Sequence, residues 1–257
     1  MKKIPVGILG ATGMVGQKYI ELLQNHPWFE VVYVAASPQS AGKKYKDALK
    51  SGWVVGGELP EAVANLTVQD VADVQKAAGV CKFVFSAFEM PEKDMIRKFE
   101  ESYAAAGMPV ISNASAHRWT ENVPMLIGEI NPHHLDIIPA QQKANGWKKG
   151  FIVVKPNCSL QSYLTPIHAL MDAGYEVQKL DLPFAPKQPI IYREEPNRPQ
   201  PKKDRDADKG MAVTVGRLRE DNIFDFKFAA LSHNTIRGAA GGGILNAELA
   251  FKKGFFS

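Results

Sequence analysis

The sequence predicts an α/β protein in which a parallel sheet alternates with helices and is followed by a smaller α+β region. Three observations support this prediction. A glycine-rich turn joins the first apolar strand to a helix, strand and helix patterns then alternate, and a second strand-to-helix turn carries a cysteine. With 257 residues and 45% hydrophobic content, the chain can bury the core of one large domain or two modest ones.

Charge and cysteine usage narrow the class of protein. A net charge of +4 suits small anionic ligands and is too small to indicate nucleic acid. Two cysteines, Cys81 and Cys158, give no disulfide framework, and the chain shows neither a signal-peptide pattern nor an apolar run that could span a membrane. We therefore expect a cytoplasmic protein with a small-molecule substrate, no nucleic-acid or membrane partner, and no metal site.

The first strand, helix and second strand have the pattern of a dinucleotide site. Lys3–Leu9 predicts a strand, Tyr19–Leu23 lies on the following helix, and Phe29–Ala35 predicts the next strand. Glycines at the turn let a pyrophosphate approach the backbone and the helix N-terminus, as in a Rossmann-like domain, whereas an ordinary tight turn is the alternative. The predicted cofactor contacts here are Gly10, Thr12, Gly13, Met14, Val15 and Gly16.

The end of the second strand indicates which dinucleotide is bound. NAD sites usually place a carboxylate there for the ribose 2′-hydroxyl, but residues 35–44 contain no acidic side chain. Ser37, Ser40 and Lys43 offer hydroxyl donors and a positive charge instead, which fit a 2′-phosphate. We therefore predict NADP as the cofactor; a solvated basic loop is the alternative.

Two further strands extend the predicted sheet. Lys82–Ala87 ends in small residues that suit a nucleotide edge, so Ser86 is a predicted cofactor contact, and Pro109–Ser112 follows the amphipathic helix Met95–Ala106. Ligands bind at the carboxyl ends of such strands. Arg118, just beyond one of these ends, could hold a carboxylate or phosphate in two places, or could be an exposed solubilising residue.

Cys158 lies at an abrupt change of pattern. Phe151–Val154 is an apolar strand, and helical spacing of apolar residues begins at Leu160. At a strand-to-helix turn, free N–H groups and the positive end of the helix dipole favour the thiolate, which attacks carbonyl carbons. With polar flanks at Asn157 and Ser159, Cys158 is the predicted nucleophile; a small buried apolar cysteine is the alternative.

The C-terminal part predicts a hairpin and a helix. Met211–Arg217 and Phe224–Leu231 read as antiparallel strands, after an extended surface connection at Pro196–Lys209. The glycine-rich run Gly238–Gly243 leads into a helical pattern at Ile244–Lys253. That pattern favours close packing of the glycines over a flexible linker.

Five motifs in order resemble the aspartate-β-semialdehyde dehydrogenase family, in its fungal and archaeal branch, namely GATGMVG, SNASAHR, KPNCS, RPQPKKDRDADKGMAVTVGR and ALSHNTIRGAAGGGILNAE. The resemblance implies an NADP-dependent oxidoreductase that interconverts aspartate 4-semialdehyde plus phosphate and 4-aspartyl phosphate through a thioester on Cys158. This reaction lies on the way to lysine, threonine and methionine. Arg118, Asn113 and Asn157 would contact substrate and phosphate, and Asn234 the cofactor.

The same resemblance implies that part of the chain is missing. After residues 173–179 the sequence passes directly to a segment, from about Leu182, that resembles a much later point in the family, so roughly a hundred residues are absent. The second domain is therefore a truncated α+β catalytic and dimerisation domain, and the homodimer or homotetramer of the family would lose much of its interface. The predicted domains are residues 1–157 for NADP, 158–231 for substrate, and 232–257 as a helix returning to the first.

The missing segment would carry the base histidine of the family. None of the six histidines matches it: His26, His117, His133, His134, His168 and His233. His168 lies about 15 Å along the helix from Cys158, too far for proton exchange, whereas His117 and His233 could approach it.

Two alternative functions remain open at this stage. N-acetyl-glutamyl-phosphate reductase shares the chemistry, but its cysteine lies in a Pro-Gly-Cys-Tyr setting rather than Pro156-Asn157-Cys158-Ser159. A non-catalytic NADP-binding remnant would explain the missing base.

Overall fold

A computed structural model describes residues 2–171, 179–223 and 226–256, without the side chains of residues 167–171 and 226. Three sequence expectations therefore lie outside the described residues. They are the junction at residues 173–178, the side chain of His168, and the start of a strand at Phe224. No helix among the described residues is long and apolar enough to cross a membrane.

The main sheet has six parallel strands in the order β3-β2-β1-β4-β5-β6. Its strands are β1 Ile4–Leu9, β2 Phe29–Ala36, β3 Gln69–Asp70, β4 Phe83–Ser86, β5 Pro109–Ser112 and β6 Phe151–Val154. This order is that of a doubly wound Rossmann sheet, in which ligands bind where the strand order reverses. The predicted Rossmann-like fold is confirmed.

Helices connect these strands and continue beyond them. The α-helices are α1 Met14–Leu23, α2 Tyr45–Ala48, α3 Glu61–Ala64, α4 Val74–Val80, α5 Lys93–Ala105, α6 Ile138–Asn145, α7 Cys158–Met171, α8 Pro201–Asp204 and α9 Gly241–Lys252. Two 3-10 turns, Pro132–Ile137 and Ala207–Gly210, and a π-helical turn, Ile236–Ala240, complete the set among the described residues.

Strands β4, β5 and β6 are apolar, apart from Ser86 and Ser112 at their carboxyl ends, because both faces of the sheet are covered. Every residue of β4, β5 and β6 is buried. Along β4, Phe83 and Phe85 belong to one core cluster and Val84 to the other, as the two-residue period of a strand requires. A continuous apolar run bounded by glycine or proline therefore locates these strands in the sequence.

A smaller sheet of three strands follows the main one. It contains β7 Ile190–Arg193, β8 Val213–Glu220 and β9 Phe226–Leu231, with β7 parallel and β9 antiparallel to β8. The antiparallel hairpin agrees with the sequence prediction, although β8 begins two residues later than expected and ends three residues later.

The segment Pro196–Lys209 is not wholly the extended surface connection that its composition indicates. It contains the short helix α8, and Asp204 at the end of this helix is buried. The carboxylate of Asp204 accepts hydrogen bonds from the guanidinium of Arg198 and, at 2.7 Å, from the backbone N–H of Gln200. This buried ion pair folds the charged segment back on itself.

The C-terminal helix packs against the main sheet, as the family resemblance implies. The first ten residues of α9 are all buried. Asn246 donates a hydrogen bond to the carbonyl of Leu126 at 3.0 Å, and the ring of Phe256 stacks on Phe83 with centroids 4.3 Å apart. The glycine-rich run is thus part of a packed helix and not a flexible linker.

Candidate active site

A cleft of about 680 Å³ opens at the carboxyl ends of the parallel strands. The glycine turn after β1 forms one wall, and Ser37, Asn113 and Arg118 lie on the others. Of the predicted cofactor contacts at the turn, five line this cleft: Gly10, Thr12, Gly13, Met14 and Val15.

The glycine turn is shaped by close backbone contacts. Gly10 has φ of +74°, and a Cβ on Gly16 would lie 2.7 Å from the Cα of Ala11, so neither position accepts a side chain without distortion. No side chain caps the N-terminus of α1 at Gly13. The first N–H groups of α1 are therefore available to an anion, which is the geometry of a pyrophosphate site.

The loop after β2 contains the three side chains predicted to select NADP. Ser37 and Lys43 are exposed, whereas Ser40 is buried, and the Ser40 N–H donates to the Ser37 carbonyl at 2.9 Å. Of the three, Ser37 lines the cleft. The neighbouring Asp70 pairs with Ala36 across the sheet, and its Oδ1 accepts the N–H of Ala72 at 2.9 Å.

The side chain of Ser86 is buried and is not among those that line the cleft. Its hydroxyl donates to Oε1 of Glu100 at 2.5 Å; Ser112 donates to the same oxygen at 2.6 Å. The carbonyl of Ser86 accepts the N–H of Asn113 at 2.9 Å. Ser86 thus connects the strand ends to Asn113, and its contact with a cofactor remains a prediction.

Glu100 is a titratable group beneath the cleft. It is fully buried, and burial raises the pKa of its carboxyl to about 7, although the Ser112 and Ser86 hydroxyls oppose this shift. Its Oε2 has no hydrogen-bond partner and lies 3.9 Å from Nε2 of His117, which is also unpartnered. Burial lowers the pKa of His117. The sequence analysis did not single out Glu100.

Cys158 is the first residue of α7, at the turn after β6. Oδ1 of Asn157 accepts the N–H of Ser159 at 2.7 Å, so the Asn157 side chain caps this helix. Cys158 is half-buried, whereas Cys81 is buried and burial raises the pKa of its thiol to about 12. Of the two cysteines, Cys158 therefore has the accessibility and position of a nucleophile.

Two cations lie beside Cys158. Arg118 Nε donates to the backbone carbonyl of Lys155 at 3.2 Å, and the charge of Cys158 acts on the pKa of both residues. Lys155 is only 3% exposed, and burial, together with the nearby Arg118, lowers its pKa to about 8. Lys155 was not among the site residues predicted from the sequence. Its signal was a charged residue at the carboxyl end of an apolar strand, three positions before the nucleophile.

The π-helical turn brings Asn234 to the same place. A Cβ on Gly238 would lie 2.7 Å from the Cβ of Cys158 and 3.3 Å from Oδ1 of Asn234. Gln161 on α7 donates to the carbonyl of Gly238 at 3.4 Å. Only a glycine permits this close packing of the two segments, so Asn234 and Cys158 both lie close to Gly238.

The histidines whose side chains the structure describes have contacts of their own. His26 pairs with Glu248, His117 with Thr120, His134 with Asn131, and His133 with the ring of His134, while His233 lies near Asp206. His117 turns its other nitrogen toward Glu100, and His233 accepts the N–H of Ile236. Their suitability as a base for Cys158 remains a prediction.

Comparison with known proteins assigns the family. A model described as semialdehyde dehydrogenase, NAD binding domain, matches residues 5–138, and one described as semialdehyde dehydrogenase, dimerisation domain, matches residues 157–237. The aspartate-semialdehyde dehydrogenase of Archaeoglobus fulgidus is 34% identical over 96% of this chain and 98% of its own. This chain belongs to the aspartate-semialdehyde dehydrogenase family. The family consists of oxidoreductases. The domain boundaries at residues 157 and 231 remain a prediction.

Other members of the aspartate-semialdehyde dehydrogenase family support the assignment. The Aspergillus fumigatus enzyme is 32% identical over 97% of both chains. A crystal structure of the Candida albicans enzyme with NADP has a TM-score of 0.88 at 29% identity, covering 99% of this chain and 100% of that one. The alignment with the A. fulgidus enzyme has 345 positions, more than the 257 residues of this chain, so at least 88 positions have no residue here. This agrees with the predicted internal shortening.

Proposed function

We propose that this chain binds NADP and catalyses the family reaction, the interconversion of aspartate 4-semialdehyde plus phosphate with 4-aspartyl phosphate. The observation that carries the proposal is that Arg118 lines the cleft that begins at the glycine turn and lies within electrostatic reach of Cys158 at the start of α7. An anion clamp, a nucleophile and a dinucleotide site at one sheet edge are the parts that this reaction needs. We place the reaction on the route to lysine, threonine and methionine.

The residues of the chain fit the cofactor. The uncapped N-terminus of α1 and the side-chain-free backbone at Gly10 and Gly16 form a cradle for a pyrophosphate. The Candida albicans relative was crystallised with NADP, and the loop after β2 offers Ser37 and Lys43 to a 2′-phosphate. NADP, when bound, supplies the hydride acceptor of the reaction.

The chain's own residues carry the other steps. The thiolate of Cys158 attacks the aldehyde carbon and forms a C–S bond as the C=O bond opens to an alkoxide. Loss of the aldehyde hydrogen as a hydride, which bound NADP would accept, restores the C=O bond and leaves a thioester. Arg118 holds a phosphate whose oxygen attacks the thioester carbonyl, so that the C–S bond breaks and the thiolate is released. Asn113, in the cleft, and Asn157, at the turn, are the proposed partners of the substrate.

A second candidate function is that of an NADP-binding protein with little turnover. The observation that favours it is the arrangement of the histidines: each one with a described side chain has contacts other than Cys158. Loss of a general base costs about 10²- to 10⁴-fold in rate.

The dimer of the family is part of the proposal, because residues 157–237 match the dimerisation domain.

The deciding experiment measures NADP reduction by the purified chain with aspartate semialdehyde and phosphate. Cys158→Ala should abolish phosphate-dependent turnover, whereas the matched variant Cys81→Ala should retain it. Turnover that survives Cys158→Ala would refute the proposed mechanism. Wild-type NADPH binding without measurable turnover would instead establish the second candidate, and light scattering on the same sample reads out the dimer.

A further inference from the structure

We infer that Lys155 is the second cation of the site and binds, together with Arg118, the oxygens of the phosphate that reacts at Cys158. This inference rests on the proposed function, since it assigns a partner to the same phosphate. Lys155 begins the motif KPNCS, but the motif alone gave it no role. The inference comes from its burial, its contacts and its charge.

Burial makes the ammonium group of Lys155 unusual. It is 3% exposed, and its Nζ donates one hydrogen bond, to the carbonyl of Pro156 at 2.8 Å. Among the described residues, neither Lys155 nor Arg118 belongs to an ion pair. Buried charges in proteins are normally paired, so this group lacks a counter-ion.

Arg118 places a second positive charge beside Lys155, which strengthens the case for an anion at this position. The backbone of Lys155 is held by the carbonyl of Ser112 at 3.0 Å, and its own carbonyl accepts Arg118 Nε. The two positive groups are thus fixed in one hydrogen-bonded unit, and the charge of Arg118 lowers the pKa of Lys155. Two cations held together in this way stabilise an anion placed between them.

The neighbouring thiol identifies the position of that anion. Burial lowers the pKa of both Lys155 and Arg118, and the charge of Cys158 opposes this lowering in each, so its sulfur lies within electrostatic reach of both cations. A doubly charged oxyanion that must reach a thioester on this sulfur would lie between them. With a pKa of about 8, Lys155 remains largely protonated at pH 7, so it carries the charge that phosphate requires.

The test compares Lys155→Met, which keeps the length of the stem and removes the charge, with Lys155→Arg and with Lys149→Met, an exposed lysine six residues earlier. The first readout is protection of Cys158 from iodoacetamide by inorganic phosphate, measured at constant ionic strength and without turnover. In Lys155→Met, half-protection should require at least about tenfold more phosphate, the loss expected for one charge-assisted hydrogen bond. Lys149→Met should remain within about threefold of the wild type, and Lys155→Arg, which keeps the charge, should lose less phosphate affinity than Lys155→Met.

Controls separate the sources of the anion and the possible roles of the lysine. Acetate at the same ionic strength should protect little; equal protection by acetate would overturn the assignment in favour of a carboxylate. Unchanged phosphate protection in Lys155→Met would also overturn it, even with slower turnover, because a proton-transfer role would then explain the loss. NADPH affinity, expected to be unchanged, shows that the variant is folded.

The second readout keeps this inference distinct from the proposed function. In the NADP reduction assay, Lys155→Met should raise the KM for phosphate at least about tenfold and leave the KM for NADP unchanged. If the wild-type chain shows no NADP reduction, the proposed reaction is refuted, but phosphate protection of Cys158 still tests whether Lys155 binds phosphate. If the wild type is active and Lys155→Met has an unchanged KM for phosphate, only the assignment of Lys155 is refuted.

Discussion

Replacing Glu100 by glutamine should stabilise the protein above neutral pH. In the folded state burial raises the pKa of this carboxyl from 4.5 to about 7, so the folded protein holds the proton more tightly than the unfolded chain. The contribution of Glu100 to the unfolding free energy therefore falls as pH rises from about 4.5 to about 7, and this contribution is constant outside that window. This difference in pKa between the folded and unfolded states corresponds to about 3 kcal/mol of unfolding free energy, at 1.36 kcal/mol per pKa unit.

A glutamine fits the site without a charge. Its amide oxygen can accept both hydroxyls, from Ser86 and Ser112, that now bond to Oε1, and its NH₂ would face the unpartnered Nε2 of His117. Relative to the wild type, Glu100→Gln should therefore gain up to about 3 kcal/mol between pH 4.5 and pH 8, which is about 6–12 °C in Tm for a chain of this size.

Urea unfolding of both proteins across this pH range measures the effect, with the exposed Glu58→Gln as the control. The informative quantity is the difference between variant and wild type at each pH, because other carboxyls titrate equally in both. A difference that does not change from pH 4.5 to pH 8 would refute the reasoning, since it would mean that Glu100 has an ordinary pKa in the folded protein.

Three further predictions concern the cofactor, the nucleophile and the rate. NADPH should bind more tightly than NADH, because no carboxylate lies in residues 35–44; calorimetry with both cofactors measures this, and equal affinities would contradict the 2′-phosphate assignment. Iodoacetamide near pH 7 should label Cys158 much faster than Cys81, because Cys81 is buried and its thiol, with a pKa raised to about 12, is almost wholly protonated there, whereas Cys158 is half-buried at the start of α7. Mass spectrometry of the two peptides at short times decides it, and preferential labelling of Cys81 would exclude Cys158 as nucleophile. The purified chain should reduce NADP at least about 10²-fold more slowly than a full-length relative, the lower bound for losing one general base. A rate within a few-fold would show that another group has replaced the base, and alanine substitution of His117 and His233 would identify it.

Sequence patterns located the sheet well because its strands are buried on both faces. The strands Pro109–Ser112 and Phe151–Val154 appear in the structure with the predicted bounds. A fully buried parallel strand is a continuous apolar run, and Gly150 and Pro109 mark where two such runs begin. The helix after Cys158 followed from spacing in the same way.

Tertiary contacts explain what the patterns missed. Glu100 lies on the apolar face of α5, four residues after Ile96 and four before Ala104, but a single acidic residue is ordinarily assigned to the solvated side. Lys155 lies where the sheet edge meets Arg118, a contact between segments 37 residues apart. The Arg198–Asp204 pair likewise depends on burial that composition does not reveal.

The packing of the last helix has a consequence for how the chain folds. Leu249 on this helix and Phe256 just after it belong to the same core as Val6 and Phe83, so the nucleotide-binding part of the chain cannot complete its core until residue 256 has been synthesised. Shortening the segment between the sheet and this helix favours its docking. Loop-closure entropy grows only slowly, by about 0.6 kcal/mol for each doubling of length, so a linker roughly halved relative to the family makes closure easier by a similar amount. The shorter connection thus leaves the nucleotide-binding half easier to close.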